Sequence, residues 1–166
     1  MKISRFLDES MIKLEMETEV LPLEEDQSRE KWLEQCKALI LFELVDIMDI
    51  NTHIGNRNKL LIDFINREKR ATTAIGHGIA FPHIRSKHAR NFTMGFARST
   101  KGYDFDSPDG ELTHLFFFMT APPYDDDLYL KVFKALAEML QYESFREELM
   151  SAQSPGEIIR VIKSME

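Results

Sequence analysis

The residues best suited to chemistry lie between Arg67 and Arg85, in the segment REKRATTAIGHGIAFPHIR. Its last histidine, His83, follows Pro82, whose ring fixes the backbone immediately before the imidazole. Gly76 and Gly78 permit backbone angles and close approaches that other residues resist, and Ala80 is small. Such a loop holds one imidazole in a defined direction and leaves room for a second protein to reach it. A histidine after a proline also occurs as a purely structural residue, so composition alone leaves both roles open. A metal centre is a third chemistry to weigh. His77, His83 and His88 share this stretch, but their spacing fits no tight zinc motif, and the one cysteine, Cys36, lies far away in sequence. No metal and no cofactor are expected. His53 and His88 read as surface loop residues, His77 as a loop residue near the site, and His114 as the opening of an apolar strand.

The elements that must position this segment follow from hydrophobic spacing. Met11–Met16 reads as a short strand, and the stretch from Val20 to Asp26, with Pro22 and an acidic run, reads as a loop. Trp32, Leu33, Cys36, Leu39, Ile40 and Val45 recur at helical spacing, which predicts a helix from about Arg29 to Met48, with Ser28 as its cap. A second helix is predicted from about Arg57 to Glu68. Thr72–Ile75, Phe92–Arg98 and Leu115–Thr120 are short, rich in aromatic, Thr or β-branched residues and bounded by breakers, so they read as strands. Leu115 to Met119 is apolar on both faces, as a doubly covered central strand must be. Ser107–Gly110, SPDG, is a turn. Helices follow over Leu128–Leu140, with Asp125, Asp126 and Asp127 before its positive end, over Glu143–Ala152, and over Pro155 to about Ser164. This order predicts an α/β fold of three layers, α/β/α, with a mixed sheet of about four to five strands flanked by helices on both faces.

Composition narrows the partners. A formal charge of −7, with no basic stripe, suits a basic protein partner or a solvating surface and argues against nucleic acid, whose duplex carries a charge every ~1.7 Å. The longest apolar runs are far short of the ~20 residues that cross a bilayer, so no membrane insertion is expected. MKISRFLDES lacks the apolar segment of a signal peptide, and the chain is read as cytoplasmic. Cys36 falls within the apolar-periodic first helix and reads as a buried, inert thiol.

Arg67-Glu68, Thr73, Gly76, Gly78, Ala80 and Pro82-His83, in that order, resemble the signature of the fructose–mannitol–nitrogen type of phosphotransferase enzyme IIA. DFDSPDG at Asp104–Gly110 is similar to that family's DFDAPDG, and the strand ending in Ala121-Pro122 and the closing stretch from Ser144 to Ile162 resemble it too. The likeness covers roughly residues 60–163 well and the first 55 weakly, and the chain is read as one enzyme IIA domain over residues 1–166.

The resemblance implies a phosphoryl carrier, a phosphohistidine phosphotransferase component, with His83 as the acceptor. Imidazole suits this role, because a neutral nitrogen attacks near physiological pH while the other is fixed by an acceptor. By the family likeness Nε2 attacks and Nδ1–H is held. Arg67 matches the family's active-site arginine, and its planar fork suits phosphate oxygens. Thr73 matches a motif position from which a hydroxyl donates a hydrogen bond, or which serves only as a strand residue. Arg85 is a weaker candidate, and Phe81 is either contact surface for the donor or core. Two positions depart from the pattern. Ile84 stands where the family has glycine, and Tyr129 falls at the place of a second histidine. The implied partners are an HPr-like phosphocarrier protein and either an enzyme IIB or a regulated protein, with a nitrogen or metabolic regulatory branch preferred to sugar transport. The other reading is a degenerate interaction module that no longer carries phosphate.

Overall fold

Phe116, Phe117 and Phe118 follow one another without a polar break, so the strand that bears them must be covered on both faces. A computed structural model describes residues 1–51, 54–125 and 127–166, and places this strand at the centre of a six-stranded mixed sheet. His53 and Asp126 lie outside the described residues. In chain order the strands are β1 (Ile12–Lys13), β2 (Ala74–Gly76), β3 (Ile79–Ala80), β4 (His83–Arg85), β5 (Thr93–Tyr103) and β6 (Thr113–Ala121). The helices are α1 (Arg29–Asn51), α2 (Arg57–Arg70), α3 (Leu128–Met139), α4 (Glu143–Ser151) and α5 (Pro155–Ser164). None of them is long and apolar enough to cross a membrane.

The long antiparallel pair β5–β6 carries the core, with Phe96 opposite Phe117 and Gly95 opposite Phe118. Gly95 is required by packing. A Cβ there would lie 2.3 Å from the Phe118 ring and 2.9 Å from the Met11 carbonyl oxygen. Leu115 and Phe117 alternate with Phe116 and Phe118, which gives the two faces separate covers. On one face Phe117 stacks on Phe81, and Phe81 meets Phe133 of α3 with centroids 4.7 Å apart. On the other, Phe116 meets Phe105 edge-on, and Lys37 of α1 lies over the Phe105 ring. The helical layers on both faces are those the spacing predicts. Ile3, Leu7 and Met11, in the weakly matching first part of the chain, join the same apolar cluster as Phe117 and Ile162.

β3 and β4 are the elements that position the site, and they were not separable by pattern. Ile79 pairs with Leu115 and His83 with Met119, both in parallel and at the same offset along β6. They are two pieces of one strand path, interrupted at Phe81-Pro82 where proline has no N–H for the ladder. The interruption frees the Phe81 N–H to donate to the Thr73 carbonyl at 3.0 Å, while the Pro82 carbonyl still accepts from Met119 at 2.9 Å. β2 pairs with β3 through the turn Gly76-His77-Gly78, where all three residues have positive φ and Asp109 accepts from the His77 N–H at 3.0 Å. Among the described residues β4 pairs with β6 alone, so its other edge carries no strand. β1 is shorter than expected because a 3-10 turn over Glu9–Met11 takes up the start of the expected strand. In α5 the expected cap is present, with Ser154 Oγ accepting from the Glu157 N–H at 3.2 Å.

Candidate functional site

His83 opens β4 on the unpaired edge of the sheet, half-buried. Its Nδ1 lies 2.7 Å from the Phe81 carbonyl oxygen. A carbonyl only accepts, so Nδ1 must carry the proton and the neutral ring keeps its lone pair on Nε2. Phe81 and Pro82 lie between β3 and β4, so the carbonyl that meets the ring belongs to neither strand. Burial holds the imidazole below its ordinary value of 6.5; the bond to Phe81 opposes this, and the Arg67 charge adds to it.

Arg67, on the last turn of α2, lines the narrow cleft that His83 closes, together with Leu41, Phe64, Glu68, Thr73 and Pro82. Its Nη1 donates to the Ala71 carbonyl at 2.9 Å, which fixes the guanidinium at the helix end. Among the described residues no carboxylate forms an ion pair with it. Thr73 is buried, and its hydroxyl and N–H both donate to the Glu68 carboxylate, the N–H at 2.9 Å. Its hydroxyl hydrogen is therefore committed within the protein. Thr73 acts on the site through Glu68 and through its own carbonyl, which holds Phe81.

Tyr129 lies on α3 across from His83, with ring centroids 5.9 Å apart, and Phe133 one turn further on approaches the imidazole at 6.1 Å. Arg85 places its guanidinium carbon 4.4 Å from the centroid of the Tyr129 ring. Ile84 is half-buried beside His83, and Phe81 is fully buried, so it belongs to the core. Glu68, Phe133 and the Phe81 carbonyl were missed from sequence. Glu68 had a signal, since it follows Arg67 in the quoted motif; Phe133 had only its four-residue spacing from Tyr129. Cys36 is buried, His114 Nδ1 meets the Ser99 carbonyl at 2.9 Å, and the described residues contain no cluster of three or more metal-ligating side chains.

The sign of the His83 shift makes a prediction. The native state binds fewer protons than the unfolded chain just below pH 6.5, so this group's stabilisation is complete above 6.5. It is lost as pH falls through the folded value. An NMR titration of the ring should give a midpoint below 6.5, and Arg67→Met should raise that midpoint without restoring the ordinary value, because burial persists. A midpoint unmoved by Arg67→Met would separate the arginine from the imidazole.

The family model described as phosphoenolpyruvate-dependent sugar phosphotransferase system, EIIA 2, matches residues 33–165. The chain is 31% identical over 162 residues to the PTS system fructose-specific EIIABC component of Bacillus subtilis, covering 98% of this chain and 23% of that protein. It is 33% identical over 111 residues to the PTS system fructose-specific EIIA component of Haloferax volcanii, covering 67% and 72% of the two chains. Among solved structures, nitrogen regulatory protein IIA-Ntr from Neisseria meningitidis superposes with a TM-score of 0.70 at 26% identity, covering 96% of this chain and 98% of that one.

Proposed function

Because the chain belongs to the EIIA 2 family of the phosphoenolpyruvate-dependent sugar phosphotransferase system, we propose that it accepts a phosphoryl group on Nε2 of His83 from an HPr-like phosphohistidine donor. The observation that carries this reading is the Nδ1–H bond to Phe81 on an open sheet edge, with Arg67 lining the same cleft. In the transfer the Nε2 lone pair forms the new N–P bond. The donor's N–P bond breaks and its electron pair returns to the donor imidazole. The proton stays on Nδ1, hydrogen-bonded to the Phe81 carbonyl throughout, so no proton need leave the ring. Charge spread over the three phosphoryl oxygens is met by the fixed Arg67 guanidinium, and positioning does most of the work in such a transfer.

Between the branches, the contact of His83 with Tyr129 favours a regulatory carrier. A phenol offers one hydrogen bond and no positive charge, so it lacks what an imidazole at that place would give to onward transfer. Transfer to an enzyme IIB is the second reading, supported by the likeness to a fructose-specific component along nearly the whole chain. A degenerate interaction module without phosphate is the third. One experiment orders them. The chain is mixed with phosphoenolpyruvate, enzyme I and HPr, the product is mapped by mass spectrometry, and a purified IIB domain is then added. An acid-labile phosphate on His83 is expected, held after IIB is added. Rapid passage to IIB would move the protein to the sugar branch, and an unlabelled chain would leave the interaction module.

A further inference from the structure

We infer that the cavity between α1 and α2 binds a small aliphatic amino acid, held as a zwitterion with its carboxylate at Lys37 and its ammonium at an acidic rim. The inference goes beyond phosphoryl acceptance and does not depend on it.

The cavity follows from the spacing within α1. Glu30, Leu33, Glu34, Lys37, Ala38 and Leu41 recur every three or four residues, so they share one face of that helix. This face meets Ile65, Glu68 and Lys69 of α2 and Asp106 of the connection from β5 to β6, around a cavity of about 140 Å³. Pockets for drug-sized ligands begin at about 300 Å³, so this one suits a small metabolite and not a nucleotide. Leu33, Ala38, Leu41 and Ile65 give it an apolar wall. Leu41 and Glu68 also line the cleft that His83 closes, so the two sites share a wall.

Charge selects the ligand. Two lysines and four carboxylates line the cavity, and among the described residues no ion pair joins any of them. Lys37 is the buried cation, 8% exposed, with Nζ 4.9 Å from the centroid of the Phe105 ring. Its ammonium makes no hydrogen bond to a described residue. A ring face meets part of that charge, but three N–H donors taken from water need acceptors. Glu68 is near enough for the two charges to be felt, yet its oxygens already accept from Thr73. Glu30, Glu34 and Asp106 are exposed and form the acidic rim, beside the exposed Lys69. A simple anion would suit Lys37 and be repelled by the rim, and a simple cation would meet the reverse. An amino acid answers both, since Glu34 stands one turn before Lys37, where neighbouring side chains lie about 5–6 Å apart at Cβ. Its aliphatic side chain then covers the apolar wall.

The test titrates the full chain, labelled with 15N, with L-alanine, L-valine and L-leucine and follows its amides by NMR. At least one should bind saturably, with a Kd on the order of 1 mM. The amides of Ala38, Ile65 and Lys69 should move, and that of Thr73 with them through Glu68. For the amino acid that binds best, the matching carboxylate without the ammonium and the matching amine without the carboxylate are then compared (isovalerate and isobutylamine for L-valine). Each should bind about tenfold more weakly or worse. Lys37→Met should weaken binding about tenfold. Glu34→Gln, at an exposed position where folding is not at stake, should weaken it severalfold, and Lys31→Met, outside the cavity, should leave it unchanged. Should Lys37→Met fail to fold, Glu34→Gln decides. No saturable shift with any of the three amino acids would overturn the inference. A bare carboxylate that binds as tightly would overturn the zwitterion, and affinity unchanged by Lys37→Met and Glu34→Gln would place the amino acid elsewhere. None of these readouts involves phosphate, so this titration and the labelling experiment decide separately.

Discussion

His83→Ala is expected to abolish N-linked labelling, with a melting temperature within a few degrees of wild type. Labelling should vanish because the other described histidines are not presented as acceptors. His77 sits at a positive φ of 54° on an exposed turn, His88 lies in a turn where its N–H donates to Ser86 Oγ at 3.1 Å, and His114 packs against Gly78 and Gly102 with Nδ1 on the Ser99 carbonyl. The fold should persist because His83 is half-buried at a sheet edge and, among the described residues, its ring makes one hydrogen bond, to the Phe81 carbonyl. Losing such a bond costs about 1 kcal/mol, which for a chain of this length is about 2–4 °C. His77→Ala, made beside it, should label like wild type. Undiminished label on His83→Ala would place the acceptor elsewhere, and the geometry of β4 would then have no bearing on the transfer.

The proposed acceptor was legible in the sequence through the resemblance of the motif around His83 to a known family, since proline, two glycines and a small residue constrain the chain there but leave the role of the imidazole open. The same holds for α5, whose Ser154 and Glu157 are spaced as a cap and serve as one. β6 was legible because three consecutive phenylalanines leave few alternatives to a covered strand. The other candidates were named singly in the sequence, but the contacts that join them were hidden for a common reason. Arg85 and Tyr129 are brought together by the parallel register of β4 on β6 and by the seating of α3 against that sheet, and neither is a local property. β3 and β4 are two and three residues long, too short for any periodicity, and only the shared offset along β6 reveals them as one interrupted strand. Thr73 was legible as a hydroxyl in the motif, but its partner depended on α2 returning a carboxylate to β2. The local motif therefore singled out the candidate acceptor, and tertiary structure determined which groups surround it.

Glu68→Ala is the substitution expected to cost the most stability, and its effect should reach the acceptor. The carboxylate is 5% exposed and accepts from both the N–H and the hydroxyl of Thr73. Lys37, 8% exposed on α1, lies close enough to lower its pKa, yet burial outweighs this and Glu68 titrates above its ordinary 4.5. Alanine would leave two buried donors on Thr73 without an acceptor, a loss of about 2–6 kcal/mol at about 1–3 kcal/mol for each. At about 2–4 °C for each kcal/mol, the melting temperature should fall on the order of 10 °C. Glu68→Gln keeps an oxygen for Thr73 and should lose less than half as much. It should also remove a pH dependence. With the folded value raised, the native state binds more protons than the unfolded chain above pH 4.5, so this contribution is full below 4.5 and is lost as pH rises through the folded value. The path to the site is short. Glu68 fixes Thr73, the Thr73 carbonyl accepts from Phe81 at 3.0 Å, and the Phe81 carbonyl holds the imidazole proton at 2.7 Å. Labelling of Glu68→Ala at a temperature where it is still folded should therefore be slower than wild type, since the tautomer that presents Nε2 is less firmly held. A Glu68→Ala protein that melts with wild type would show that this carboxylate holds neither the strand nor the ring.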